Sequence, residues 1–244
     1  IEGWKLITTE VHKNGGKIFL QLWHVGRVSS SKVNGLQPIA PSTKIAKDTN
    51  VYIFDGAPNG DATFVSVEKP KEMDEKDIQQ VIEEFRIGAK NAIKAGFNGV
   101  EIHGANGYLI DQFLRSNSNI RTDGYGGNKE NRVRLLIEIT QAVVSEIGAE
   151  KTGVRLSPFI SFKDMNDPEI LDTIMLASEK LEALGVTYIH LCEADWNDAP
   201  EIPNDFRIQL RKTFSKTIIA TGNKTPQQAN ELLMKNLVDL VGFG

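Results

Sequence analysis

The chain of 244 residues, 40% hydrophobic and 25% charged, is long enough to bury a sizeable core as one large α/β domain, and nothing in it requires two. Its 28 basic and 32 acidic residues give a net charge of −4 with the signs interspersed, which argues against a nucleic-acid or anionic-membrane partner. The single cysteine, Cys192, excludes an internal disulfide framework and a paired-cysteine metal site, no apolar run approaches the ~20 residues of a membrane span, and a reducing, cytoplasmic setting fits best.

Trp4, Ile7 and Val11 recur at helical spacing, so the chain opens in a helix that Gly15-Gly16 stops. A strand over 17–23 follows. Residues 28–70, rich in Ser, Pro, Gly and Asn with a β-prone patch at Thr63–Val67, are read as a capping insertion between that strand and its helix. Beyond it, helices at about 74–95, 130–147, 168–184, 202–214 and 225–236 alternate with strands at about 98–103, 152–157, 186–192, 217–221 and 238–242. That alternation predicts parallel βα units.

Each strand carries one aliphatic face: Ile18, Leu20, Leu22; Val100, Ile102; Val154, Leu156; Ile189, Leu191. In a barrel of parallel strands this face meets the surrounding helices. The opposite faces, with Gln21 and Trp23, Glu101 and His103, Arg155 and Ser157, His190 and Cys192, then point inward. Barrel interiors are normally filled by branched apolar side chains, so a polar set near the C-terminal strand ends predicts a polar ligand there.

The strand at 98–103 breaks at glycine into His103-Gly104-Ala105-Asn106-Gly107-Tyr108. An imidazole and a carboxamide can hold a carbonyl oxygen as charge builds on it, and a nearby phenol can donate a proton. Ile218–Thr221 runs into Gly222-Asn223 ahead of a Thr225-Pro226 helix start, and Val241-Gly242-Phe243-Gly244 repeats the strand-into-glycine design. Two such turns after the last strands of a barrel form a phosphate cradle of backbone N–H groups.

These residues resemble the Old Yellow Enzyme family of flavin mononucleotide-dependent ene-reductases, N-ethylmaleimide reductase-like members included. The resemblance runs through Gly15–Arg27, Gly96–Leu114, Arg121–Gly127, Glu130–Arg132, Gly153–Pro158 and the two glycine turns. It implies an FMN-binding TIM barrel with FMN held non-covalently, reduced by NADPH or NADH. By position, Gln21 and Arg155 match groups at the flavin's pyrimidine edge, and Gly222, Asn223 and Gly244 match phosphate-binding turns. His103 and Asn106 match the pair gripping a substrate's carbonyl or nitro oxygen, Tyr108 the proton donor, and Trp23 a wall of the substrate pocket. The implied reaction is reduction of an activated alkene, with hydride passing from flavin N5 to the β-carbon and Tyr108 protonating the α-carbon. No metal and no fixed oligomeric state is implied.

Against the family pattern, the chain starts in a helix that follows the second barrel strand and stops at Gly244, just before an expected phosphate-binding arginine. It therefore reads as a barrel fragment, residues 1–244 of a single domain lacking about the first two strands and the last helix. Alone, it is expected to bind flavin poorly or not at all. Two rival readings are a metal-dependent TIM-barrel hydrolase using His24, Glu101, His103 and His190, and a truncated product without catalytic competence.

Overall fold

A computed structural model of the protein describes residues 1–54, 62–193 and 200–243. α1 (Glu2–Lys13) leads into β1 (Phe19–Leu22), and the insertion contributes α2 (Ser31–Asn34), β2 (Ile39–Ala40), β3 (Asn50–Phe54), β4 (Ala62–Ser66) and β5 (Lys71–Glu72). Then come α3 (Glu75–Lys94), β6 (Gly99–Gly104), α4 (Leu109–Leu114), α5 (Lys129–Arg132), α6 (Arg134–Ile147), β7 (Thr152–Leu156), α7 (Ile170–Leu184) and β8 (Tyr188–Cys192). α8 (Asn204–Thr213), β9 (Thr217–Thr221), α9 (Pro226–Met234) and β10 (Leu240–Gly242) complete the order.

β1, β6, β7, β8, β9 and β10 form one parallel sheet in that order, so each neighbouring pair is joined by a crossover carrying helix. From β6 to β9 the aliphatic strand faces are dry, as the alternation requires: Val100, Ile102, Val154, Leu156, Ile189, Leu191, Ile218 and Ala220 are all fully buried in one core with residues of α3, α6, α7 and α8, whereas Ile18, Leu20 and Leu22 at the edge strand are only partly buried. Local chemistry starts the long helices where expected. Asp74 and Asp77 form a reciprocal capping box at α3, and Thr225 and Gln228 form another at α9, with Pro226 at the first helical position.

Two elements differ from expectation. The helix expected over 130–147 is two, α5 capped by Asn128 and α6 beginning at Arg134, with Val133 between them. Leu109–Leu114 is helical, although its run of buried residues shows no amphipathic period. In the insertion, β3 and β4 pair as an antiparallel hairpin and β2 pairs in parallel with β5, while Glu68 accepts from the Ser31 N–H and hydroxyl at 2.9 and 3.0 Å.

The inner face of the sheet is built in layers. At the bottom the Phe19 and Tyr188 rings meet at 5.7 Å, and Tyr188 reaches across Gly153, where a Cβ would lie 2.1 Å from its ring. Glycine is required there by close approach rather than by φ. Above this plug, registers Gln21↔Glu101 and Arg155↔His190 set a polar layer, and His103 and Thr221 stand at the upper strand ends.

Candidate active site

β6 delivers His103 to the C-terminal end of the sheet, and the chain then turns sharply, with Asn106 at φ 60° and Gly107 at φ 75°. A left-handed asparagine is held here by its surroundings. The Asn106 N–H donates to Ser157 Oγ at 2.7 Å and the Gly107 N–H to Asp111 Oδ2 at 2.8 Å. Gln112 Nε2 donates to the Gly107 carbonyl at 2.8 Å, while its Oε1 accepts from the Arg27 N–H at 3.0 Å. Beneath lies a buried ion pair: Arg115 donates to Asp111 at 2.9 Å, to the Ser157 carbonyl at 2.7 Å and to the Ile160 carbonyl at 3.1 Å. Each partner of that pair is about 1% exposed.

This turn gathers three rings. Trp23 packs edge-on to Tyr108 at 4.7 Å and to His103 at 6.1 Å, and His103 and Tyr108 are 5.5 Å apart. Trp23 remains 54% exposed, so one side of the cluster is open. His103 is buried and its Nδ1 has no hydrogen-bond partner. Burial and then the charge of Arg155 drive its pKa down to about 4, against an upward pull from Glu101. At neutral pH it is a neutral N–H donor beside Tyr108, whose phenol is pushed up by burial.

A cation completes the cluster. Lys163 Nζ sits 3.8 Å from the centroid of the Tyr108 ring and donates to the Asn106 carbonyl at 3.0 Å. Burial lowers its pKa to about 8, with Asp111 and Cys192 pulling upward. Lys163 and Asp164 are both left-handed, and the fully buried Arg27 guanidinium fixes them by donating to both carbonyls at 3.1 Å.

Arg155, Gly222 and Asn223 line one cleft of about 590 Å³ at the same strand ends, with Thr221, Lys224 and Gly242. Arg155 Nη2 donates to Cys192 Sγ at 3.1 Å and to Thr221 Oγ1 at 3.3 Å, whereas its buried Nε has no partner. Gly222 has φ 125°, and a Cβ there would lie 2.5 Å from the Glu193 carbonyl oxygen. At Gly242 a Cβ would lie 2.3 Å from Thr221 Cγ2. Cys192, Glu193 and Phe243 complete the lining, the Glu193 carboxylate being paired with Arg207 and Lys224, so glycine backbone and an under-used guanidinium remain to suit an anionic, electron-rich ligand.

The structure brings Trp23, His103 and Tyr108 into ring contact with the Asn106 turn alongside, and gathers Arg155, Gly222 and Asn223 in the neighbouring cleft. Gln21 stands apart from Arg155, on the exposed edge strand β1, with its amide donating to Glu101 at 2.7 Å. Gly244 lies outside the described residues. Lys163 and Thr221 carried no expectation of a role, because a lysine in a loop and a strand-end threonine have no period or spacing to mark them. The four donors of the hydrolase reading do not converge. His24 Nδ1 accepts from the Gly26 N–H, Glu101 and His190 bond to each other, and among the described residues no three His, Cys, Asp or Glu side chains form a metal-binding group. Among the same residues no helix is long and apolar enough to cross a membrane.

A parallel sheet wrapped by helices, with its polar groups at the C-terminal strand ends, defines a TIM-barrel protein of the flavin-binding, Old Yellow Enzyme type. The chain belongs to the NADH:flavin oxidoreductase / NADH oxidase family, whose model it matches over residues 1–244. A putative 12-oxophytodienoate reductase 5 from Oryza sativa subsp. japonica is 41% identical over all of this chain and 63% of its own length. Morphinone reductase superposes with a TM-score of 0.94 at 37% identity, over 99% of this chain and 65% of that one, and another of its structures holds tetrahydroNAD. The old yellow enzyme homologue from Zymomonas mobilis follows at a TM-score of 0.91 and 35% identity, covering 100% of this chain and 67% of that one. The chain therefore spans a little under two thirds of the length of the curated relative.

Proposed function

We propose that this chain carries the substrate-facing half of an FMN-dependent oxidoreductase that uses NADPH or NADH to reduce the C=C bond of α,β-unsaturated carbonyl and nitro compounds. One observation carries the reading. A neutral, buried His103 with an unpartnered Nδ1 stands in ring contact with Tyr108 and neighbours Arg155 in register, and Arg155 in turn lines the cleft that holds Gly222 and Gly242.

FMN, bound non-covalently, would supply hydride chemistry, with a nicotinamide as the reductant. Gly222 and Asn223 offer backbone N–H groups to its phosphate, with Gly244 in the same role. Arg155 sets its free N–H groups and its charge against the electron-rich ring edge, and Gln21 adds an amide. His103 and Asn106 hold the substrate's carbonyl or nitro oxygen, where neutral donors stabilise developing negative charge without first having to lose a proton. Tyr108 Oη delivers its proton to the substrate α-carbon, and Trp23 walls the open side. The insertion at 28–70, of which residues 55–61 lie outside the described ones, is assigned the role of a cap.

The test separates the two half-reactions. Tyr108→Phe is expected to slow alkene reduction by about 10²-fold or more while the rate of flavin reduction by nicotinamide stays within a factor of two or so. Equal loss in both would remove Tyr108 from the proton-donor role. Trp23→Ala is expected to change KM for alkenes with little effect on the nicotinamide half-reaction.

A further inference from the structure

Gln21 and Arg155 do not touch, yet a single hydrogen-bond chain joins them across the inner face of the sheet. Gln21 Nε2 donates to Glu101 Oε1 at 2.7 Å, and His190 Nδ1 meets Glu101 Oε2 at 2.8 Å. His190 Nε2 meets Thr221 Oγ1 at 2.9 Å, and Arg155 Nη2 donates to the same hydroxyl oxygen at 3.3 Å. We propose that Glu101, His190 and Thr221 form a positioning relay that fixes the Gln21 amide and the Arg155 guanidinium in the orientations that recognise the cofactor's pyrimidine edge. The inference rests on the FMN reading above and goes beyond it, since none of these three residues need touch the cofactor's ring.

Both ends of the chain have a direction. A carboxylate only accepts, so His190 donates to Glu101 from Nδ1, while its Nε2 faces the Thr221 hydroxyl. The Thr221 oxygen accepts from Arg155, and the Leu191 carbonyl lies 3.4 Å from the same hydroxyl. The Gln21 amide is committed to one face: its NH₂ is tied to Glu101 and its carbonyl is free for the opposite side. Without Glu101 the amide could flip and present the wrong group.

The carboxylate is equipped for this. Burial raises the Glu101 pKa, but the hydrogen bonds from His190 and Gln21 and the charge of Arg155 outweigh it, and the group is held below the usual range. The Tyr188 phenol on the layer beneath is pushed far up by burial and by Glu101, so it stays neutral. Because the members polarise one another in a site of low dielectric, breaking one link is felt at both ends.

Thr221→Val removes the hydroxyl and keeps the shape, cutting Arg155 from His190 alone. Thr221→Ser restores the link. In the complete polypeptide as its gene encodes it, three readouts are compared: FMN affinity, the flavin midpoint potential, and imidazole ¹⁵N shifts of His190 in the FMN-free protein. For Thr221→Val the preference for reduced over oxidised flavin is expected to fall about tenfold, equivalent to roughly 30 mV for two electrons. His190 Nε2 is expected to lose its hydrogen-bonded shift, and Thr221→Ser to recover both. Glu101→Gln is expected to weaken FMN binding at the Gln21 end as well. Valine and serine variants that both match wild type in potential and in His190 shifts would overturn the relay and leave the cofactor reading intact. A wild-type protein that takes up no FMN would overturn the cofactor reading itself.

Discussion

Lys163 holds its ammonium 3.8 Å from the centroid of the Tyr108 ring while the same nitrogen donates to the Asn106 carbonyl. One cation thus ties the proposed proton donor to the turn that carries the proposed oxygen-gripping amide. It also sits where burial lowers its pKa to about 8. Its unfolded value is near 10.4, so between those two pH values the unfolded chain binds the extra proton and folding is favoured as pH rises. Lys163→Met removes that gain. Urea midpoints measured at pH 7.5 and 10 are expected to show wild type gaining on the methionine variant, and a constant difference between them would place Lys163 in water rather than on the ring.

His103 gives a second window of the same sign, at acid pH. Its folded pKa of about 4 lies below the unfolded value near 6.5, so the stability it contributes is full above pH 6.5 and is lost as pH falls toward 4. A gap of that size between the folded and unfolded chain corresponds to roughly 3 kcal/mol at the acid end. Comparing wild type with His103→Gln by urea denaturation at pH 7.5 and 4.5 should show the wild type losing most of that difference, through burial first and Arg155 second. Parallel losses would mean that His103 titrates as an exposed imidazole.

Much of this was legible in the chain. Strands and long helices follow from period and capping: Asp74 and Thr225 mark helix starts, and the aliphatic alternation of 100–102, 154–156 and 189–191 correctly assigned the dry face. His103, Asn106 and Tyr108 were visible because they share one strand end and one turn. What stayed hidden depends on distant loops. Lys163 is 55 residues from Tyr108 in sequence, and its loop is held by the buried Arg27, bonded to the Lys163 and Asp164 carbonyls, and by Asn117, which donates to the Asp164 carbonyl. The commitment of Gln21 to Glu101 likewise needs the strand register, which no local pattern states.

Asp111 has no place in the chemistry, yet the Asn106 turn depends on it. Its carboxylate takes the Gly107 N–H at 2.8 Å and the Arg115 guanidinium at 2.9 Å, with both side chains about 1% exposed. Removing one partner of a buried pair leaves the other charge uncompensated, a loss of about 3–5 kcal/mol. Asp111→Ala is therefore expected to lower unfolding free energy by that order in denaturant titration. Asp111→Asn, which can still accept from Gly107, should lose less. An alanine variant within about 0.5 kcal/mol of wild type would show that the pair is not buried in solution.

The phosphate assignment of the glycine turn can be separated from the ring assignment of Arg155 by a ligand that has one feature and lacks the other. Gly222 is left-handed of necessity, at φ 125°, and its missing Cβ would press on the Glu193 carbonyl at 2.5 Å. Glu193 in turn is clamped by Arg207 and Lys224, each at 2.7 Å, so the carbonyl cannot easily withdraw. Gly222→Ala should therefore shift the turn rather than be absorbed by it. In the complete polypeptide, FMN affinity is expected to drop about tenfold or more, some 1.4 kcal/mol, while riboflavin, which has the ring and no phosphate, binds as it does to wild type. Arg155→Met should weaken both ligands. If the alanine variant weakens riboflavin as much as FMN, the Gly222 turn shapes the ring site and the phosphate lies elsewhere.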